Sequence, residues 1–133
     1  MVQYRWSTLD QWTKKTERRI NAVLKDATQS VVAVAQTPKA KGGRMPVDTG
    51  NLRNSLISSV AGGAAGQGAE SYIMAAAGIK GGDVATFTWT AEYAAAVNNG
   101  NRGRPGAHFV EGAVDQWPAI VRASIAKAKA AVG

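Results

Sequence analysis

The sequence predicts an α+β domain: an antiparallel β-sheet of about three to four strands, two long helices packed on one of its faces, and short connecting helices. Three patterns lead there. Apolar residues recur at three- and four-residue steps over positions 9–34, and a second such stripe runs over positions 109–125. Between them, within the run 83–90, positions 85–90 alternate between apolar and polar, as a half-buried strand does.

The first long helix starts near Ser7, which is followed three residues later by Asp10 in a capping-box-like arrangement. Leu9, Trp12, Thr16, Ile20, Val23, Leu24, Ala27, Val31 and Val34 form its apolar stripe, and Lys14, Lys15, Glu17, Arg18, Lys25 and Asp26 lie mostly off it. It should stop before Pro38, because a residue preceding proline is pushed out of the helical region. Residues 38–46 (PKAKGGRMP) then read as a basic, flexible connector. Next comes MPVDTGNLRNS, residues 45–55. Here Asp48 and Thr49 are placed to cap a short helix over 51–56, with Gly50 permitting a close turn. Leu52 and Leu56, four apart, would anchor that helix while Arg53 projects from it.

Residues 55–61 suit a short strand, and the Gly/Ala tract over 61–69 a mobile loop. Residues 71–79 (SYIMAAAGI) are expected as a second strand and 83–90 as a third. Ala85, Phe87 and Trp89 would share one face of the third, and Gly81-Gly82 would make the hairpin turn between the two. Thr90 is a plausible cap for a short helix over 91–97 that ends at Asn98-Asn99-Gly100. Residues 100–106 form a second basic loop, and the last long helix begins near Ala107, with Pro118 kinking it or marking a restart. Trp12, Ile20, Leu24, Phe87, Trp89, Trp117 and Val121 should then be buried together where the long helices meet the sheet.

The 133 residues suit a single domain able to bury about two thirds of its unfolded surface. There is no cysteine, which excludes disulfides and thiolate chemistry. No apolar run approaches the roughly 18 residues that a membrane span needs, and the start of the chain does not read as a signal peptide. The net charge of +7 is unevenly spread: residues 1–44 hold nine Lys/Arg against three acids, 45–100 two against four, and 101–133 five against two. Such a balance suits nucleic-acid contact, or simply solvated helix faces.

Catalytic patterns are not evident. The one histidine, His108, has Glu111 three residues on but no hydroxyl partner at a recognisable spacing, and reads as a helix-start or interface residue. One histidine with scattered acids does not make a metal site, and the glycines of 62–68 fit no phosphate-binding fingerprint. No cofactor is expected.

Three blocks occur in order between the long helices: PVDTGNLRNSL, AEYAAAVNNG and RPGAHFVEGAV. They resemble the tailed-bacteriophage neck and tail-completion family, the minor tail or head–tail joining group related to the lambda minor tail protein Z. The matching positions are Pro46, Val47, Asp48, Thr49, Gly50, Leu52 and Ser55, then Tyr93, Ala94, Val97 and Gly100, then Pro105, Phe109 and Ala113. Two departures stand out. Asn98-Asn99 replace a family Glu before the second block's glycine, and the phenylalanine spacing of the third block is longer than usual.

The resemblance implies a non-enzymatic virion component assembled in the bacterial cytoplasm. It would form a six-fold homo-oligomeric ring that completes or terminates the tail and joins it to the head around the DNA channel. Its neighbours would be head connector or stopper proteins and tail terminator or tube proteins. Asp48, Thr49, Gly50, Leu52 and Arg53 would then be interface residues. Lys39, Lys41, Arg44, Arg102 and Arg104 would face genome DNA, without sequence preference, or a partner. The alternative is a small basic nucleic-acid-binding regulator, which needs a recognition helix or exposed stacking aromatics. The tryptophans, Trp6 excepted, fall on apolar stripes or inward strand positions, which reads as core.

Overall fold

The computed structural model describes residues 6–46, 50–61, 65–101 and 103–132. The α+β class holds. Helix α1 (Trp6–Ala35) is followed by a 3₁₀ turn (Lys39–Lys41), α2 (Asn51–Asn54), β1 (Leu56–Val60), β2 (Gly66–Gln67), α3 (Ser71–Ala77) and β3 (Ala85–Trp89). Then come α4 (Ala94–Asn99), the paired β4 (Gly100–Asn101) and β5 (Arg104–Pro105), α5 (Phe109–Asp115) and α6 (Trp117–Val132).

The stripe of α1 forms its helix as expected. The helix tightens at its end, where Thr37 N donates to Val34 O (3.2 Å), and Pro38, with φ −68° and ψ 155°, carries the chain out. α1 and α6 pack together as the main helical layer, running antiparallel. Ser124 Oγ donates to Asp26 Oδ2 at 2.7 Å, and α5 lies against the C-terminal end of α1. The break between α5 and α6 falls at Gln116, two residues before Pro118, so the proline sits in the first turn of a restarted helix, where its missing N–H costs least.

The three-stranded sheet has the order β2-β1-β3, antiparallel throughout. Leu56 lies opposite Trp89, and Ser58 opposite Phe87. The alternation of β3 is as read: Ala85, Phe87 and Trp89 are half-buried, Thr86 and Thr88 exposed.

Several elements differ from expectation. Residues 71–79 are not a strand. Their run of alanines favours helix, and α3 buries Ala76, with Ile79 buried just past its end, while Ser71 Oγ meets Ser58 Oγ of β1 at 2.9 Å. Gly81-Gly82 consequently turns a helix into a strand: Gly82 takes φ 89°, Lys80 N donates to Asp83 Oδ2 (2.9 Å), and Gly81 N donates to Asn21 Oδ1 (2.9 Å). β2 emerges from the Gly/Ala tract, which has no side-chain pattern to announce it. The loop over 100–106 contains the β4–β5 pair, and α4 starts at Ala94 with Tyr93, not Thr90, at its N-cap. Instead the N–H and Oγ1 of Thr90 both donate to Ser55 O, at 3.1 and 2.9 Å.

The core also sits elsewhere. Ala35, Met45, Leu52, Ala94, Phe109 and Ala113 are buried together where the end of α1 meets α2, α4 and α5, with Trp89 packed against them. Trp89 and Phe109 meet edge-on, ring centroids 5.2 Å apart at 75°. Of the seven residues expected in one core, Leu24, Phe87, Trp89 and Val121 are half-buried, whereas Trp12, Ile20 and Trp117 are 67%, 51% and 40% exposed. The apolar stripes are real, but part of each faces outward.

Candidate assembly surfaces and the motif hub

The described part of the 45–55 motif turns inward. Pro38 and Met45 form a parallel bridge, with Lys39 N donating to Met45 O (3.1 Å) and Met45 N to Thr37 O (3.2 Å). The connector over 38–45 is thereby closed into a loop with a buried methionine at its foot. Asp48 and Thr49, the expected capping pair, lie outside the described residues. Gly50 occupies the N-cap of α2 with φ 79°, a left-handed conformation that favours glycine. α2 is shorter than expected, because Leu56 begins β1 rather than ending the helix. Leu52 and Leu56 are both buried, but from two elements, Leu52 on α2 and Leu56 at the start of β1, rather than as an i,i+4 pair on one helix.

Arg53 does not project freely. Its Nε donates to the carbonyl of Gln36 at 2.8 Å, satisfying one of the carbonyls left open at the end of α1. The Gln36 side chain, 2% exposed, answers in kind: Nε2 donates to Arg53 O (3.0 Å) and Ala69 O (2.9 Å), while Trp89 Nε1 donates to Oε1 (2.9 Å). One glutamine thus ties α1, α2, the segment before α3, and β3. The sequence reading missed it, since a lone polar residue at a helix end carries no periodic signal.

The basic loops both adjoin α5. Lys39 and Lys41 are exposed on the 3₁₀ turn. Arg44 lies across Gly112, where an added Cβ would meet its Cδ and Nε at 2.8 Å. Arg102 lies outside the described residues, and Arg104 is in β5, paired with Asn101, its side chain not among those described. Gly106 lets the second loop press onto the end of α4: its Cβ position is 2.6 Å from Asn99 C, and Ala107 N and His108 N donate to Val97 O (2.8 Å) and Asn98 O (3.0 Å).

Asn98, one of the two asparagines that depart from the family pattern, is buried and caps α5 from outside by accepting Val110 N on Oδ1 (3.1 Å). Its Nδ2 donates to Glu111 Oε1 (3.0 Å), and His108 Nδ1 lies 3.5 Å from Glu111 Oε2. The carboxyl of Glu111 is held below its ordinary value by its own backbone N–H, by Asn98 and by His108, which together outweigh desolvation. These bonds complete the start of α5, with His108 in the left-handed region at φ 51°. Among the described residues no group of three His, Asp or Glu converges to hold a metal, and no helix is long and apolar enough to cross a membrane.

The described residues therefore present a hydrogen-bonded hub, a basic loop over 38–44 and exposed apolar helix faces. The family described as "Bacteriophage HK97-gp10, putative tail-component" matches residues 7–100, and the chain belongs to that family. The match takes in the first two motif blocks; Pro105, Phe109 and Ala113 of the third lie beyond it. No curated protein and no solved structure matches the chain.

Proposed function

We propose that the protein is a non-enzymatic structural subunit of a tailed-phage virion, forming a six-fold ring in the neck that completes or terminates the tail and joins it to the head around the DNA channel. The observation that carries this reading is the membership of residues 7–100 in a phage tail-component family. Rings arise when two different patches of one subunit meet and the rotation closes. Arg102 and Arg104 would face the lumen, and Lys39, Lys41 and Arg44 a neighbouring head connector, stopper, terminator or tube protein. Of the motif residues expected at an interface, Gly50, Leu52 and Arg53 would act by shaping the fold behind that surface.

Electron microscopy of purified virions tests the reading: a closed ring of this chain between head and tail tube supports it. Density for the chain at the tail tip, or a virion without it, would overturn it. The isolated protein should bind duplex DNA weakly, without sequence preference and with affinity falling steeply as salt rises. Tight, salt-resistant, sequence-selective binding would favour the regulator instead.

A further inference from the structure

α1 and α6 leave an apolar groove between them. Ile20, Val23 and Leu24 form one wall and Ile125 and Ala128 the other, around about 320 Å³, with Arg19 and Lys129 at the rim. Ile20 is 51% and Ile125 39% exposed. Lys14, Lys15, Arg18, Lys25, Arg122 and Lys127 lie on the same two helices, against Asp10, Glu17 and an Asp26 already engaged by Ser124 and Lys127. A phosphate backbone would use the cations but gain nothing from an aliphatic floor. An apolar side chain flanked by carboxylates would use both.

The same chain carries such a surface further along this helical layer. Residues 109–121 hold Glu111 and Asp115 and no Lys or Arg. Val114 is 57% and Trp117 40% exposed, and Asp115 between them is exposed too. At about 1.5 Å rise per residue, Trp117 stands roughly 16 Å along α6 from Ala128, so a chain does not fill its own groove.

We propose that the groove of one copy receives the surface around Val114 and Trp117 of a second copy, the Arg19 and Lys129 rim meeting Asp115. This deepens the ring reading and rests on it only for closure. Two unlike patches make a heterologous contact, which propagates head to tail until it closes.

Sedimentation velocity on the full chain tests the pairing, using Val114→Lys and Ile125→Lys, with circular dichroism to confirm folding. Wild type should self-associate. Each variant should weaken self-association about a hundredfold or more, because an ammonium replaces an apolar contact at the centre of the pairing and must be buried there. Mixing the two variants should give one-to-one pairs and nothing larger, since one intact groove and one intact counterpart remain. If either variant misfolds, Asp115→Lys and Lys129→Glu replace it, each weakening association singly and restoring it when combined in one chain. Wild-type association in both variants, or in Val114→Lys alone, would overturn the pairing while leaving a ring built from other surfaces. A wild type that stops at two copies, with both variants monomeric, would support the pairing and remove the ring. A monomeric wild type whose DNA binding responds to Ile125→Lys would give the groove to nucleic acid and overturn the pairing.

Discussion

Replacing Gln36 by leucine isolates the hub. The substitution keeps much of the volume of a 2%-exposed side chain but removes its three hydrogen bonds: two donated to Arg53 O and Ala69 O, and one accepted from Trp89 Nε1. Each bond contributes about 0.5–1.5 kcal/mol net, and each partner left unsatisfied in a buried setting costs about 1–3 kcal/mol. The added apolar surface of leucine offsets about 1–2 kcal/mol of this. The net loss is then about 3–5 kcal/mol, a large share of the roughly 5–15 kcal/mol typical of a domain. At about 3–5 °C per kcal/mol for a chain of this size, Tm should fall by about 10–20 °C. Thermal unfolding by circular dichroism reads this directly. A double-mutant cycle with Trp89→Phe, which removes the indole N–H along with the fused five-membered ring, should show about 1 kcal/mol of coupling between the two positions, because the packing loss is common to both backgrounds and cancels in the cycle. A Tm drop of under about 3 °C with no coupling would refute the claim that this side chain joins the four segments.

Three further outcomes follow from the same geometry. Trp89→Ala should cost about 3–5 kcal/mol, because it removes the contact with Phe109 along with the indole, and an unchanged Tm would sink the proposed role of that sheet face. Gly106→Ala should destabilise by about 1–3 kcal/mol, since its Cβ meets the backbone of Asn98, Asn99 and Gly100, whereas Gly78→Ala, whose nearest neighbour is 3.8 Å away, should stay within about 0.5 kcal/mol; equal effects would contradict the close approach. Glu111 has a depressed folded-state pKa, so its stabilising contribution is present above its unfolded pKa and is lost as pH falls through the folded value. Glu111→Gln should therefore lower Tm slightly at neutral pH and leave it unchanged in acid, and a difference that instead grew in acid would reverse the assignment.

Periodicity made some of this structure legible and hid the rest. α1 and β3 could be read because many residues repeat one instruction, and Pro38 and Pro118 punctuate the helices for a local steric reason. The alanines of α3 permit more than one backbone, so contact with β1 decides there. β2 has only Gly66 and Gln67 and acquires its identity from pairing with Ser58 and Ile57. Gln36 was invisible because its partners lie 17, 33 and 53 residues away. The misplaced core has a different cause. The stripe through Trp12 and Ile20 identified an apolar face correctly, but spacing does not say whether the same chain covers it.

That distinction bears on where assembly specificity resides. The motif over 45–55 invites reading as a recognition element, yet its described residues spend their chemistry inside the fold. Leu52 and Leu56 are buried, Ser55 Oγ donates to Leu52 O at 2.7 Å, its carbonyl accepts twice from Thr90, and Arg53 is bonded to the end of α1. Groups already satisfied within the fold have little left to offer a neighbour, so these described residues specify the shape of the fold. The unsatisfied surface is on the helical layer, where aliphatic and aromatic side chains remain in water beside charges of opposite sign at separate positions. Because the hub lies at the C-terminal end of α1, away from the groove at its middle, substitutions in the hub should lower stability, whereas substitutions in the groove should leave the protein folded and, on the pairing proposed above, weaken its self-association.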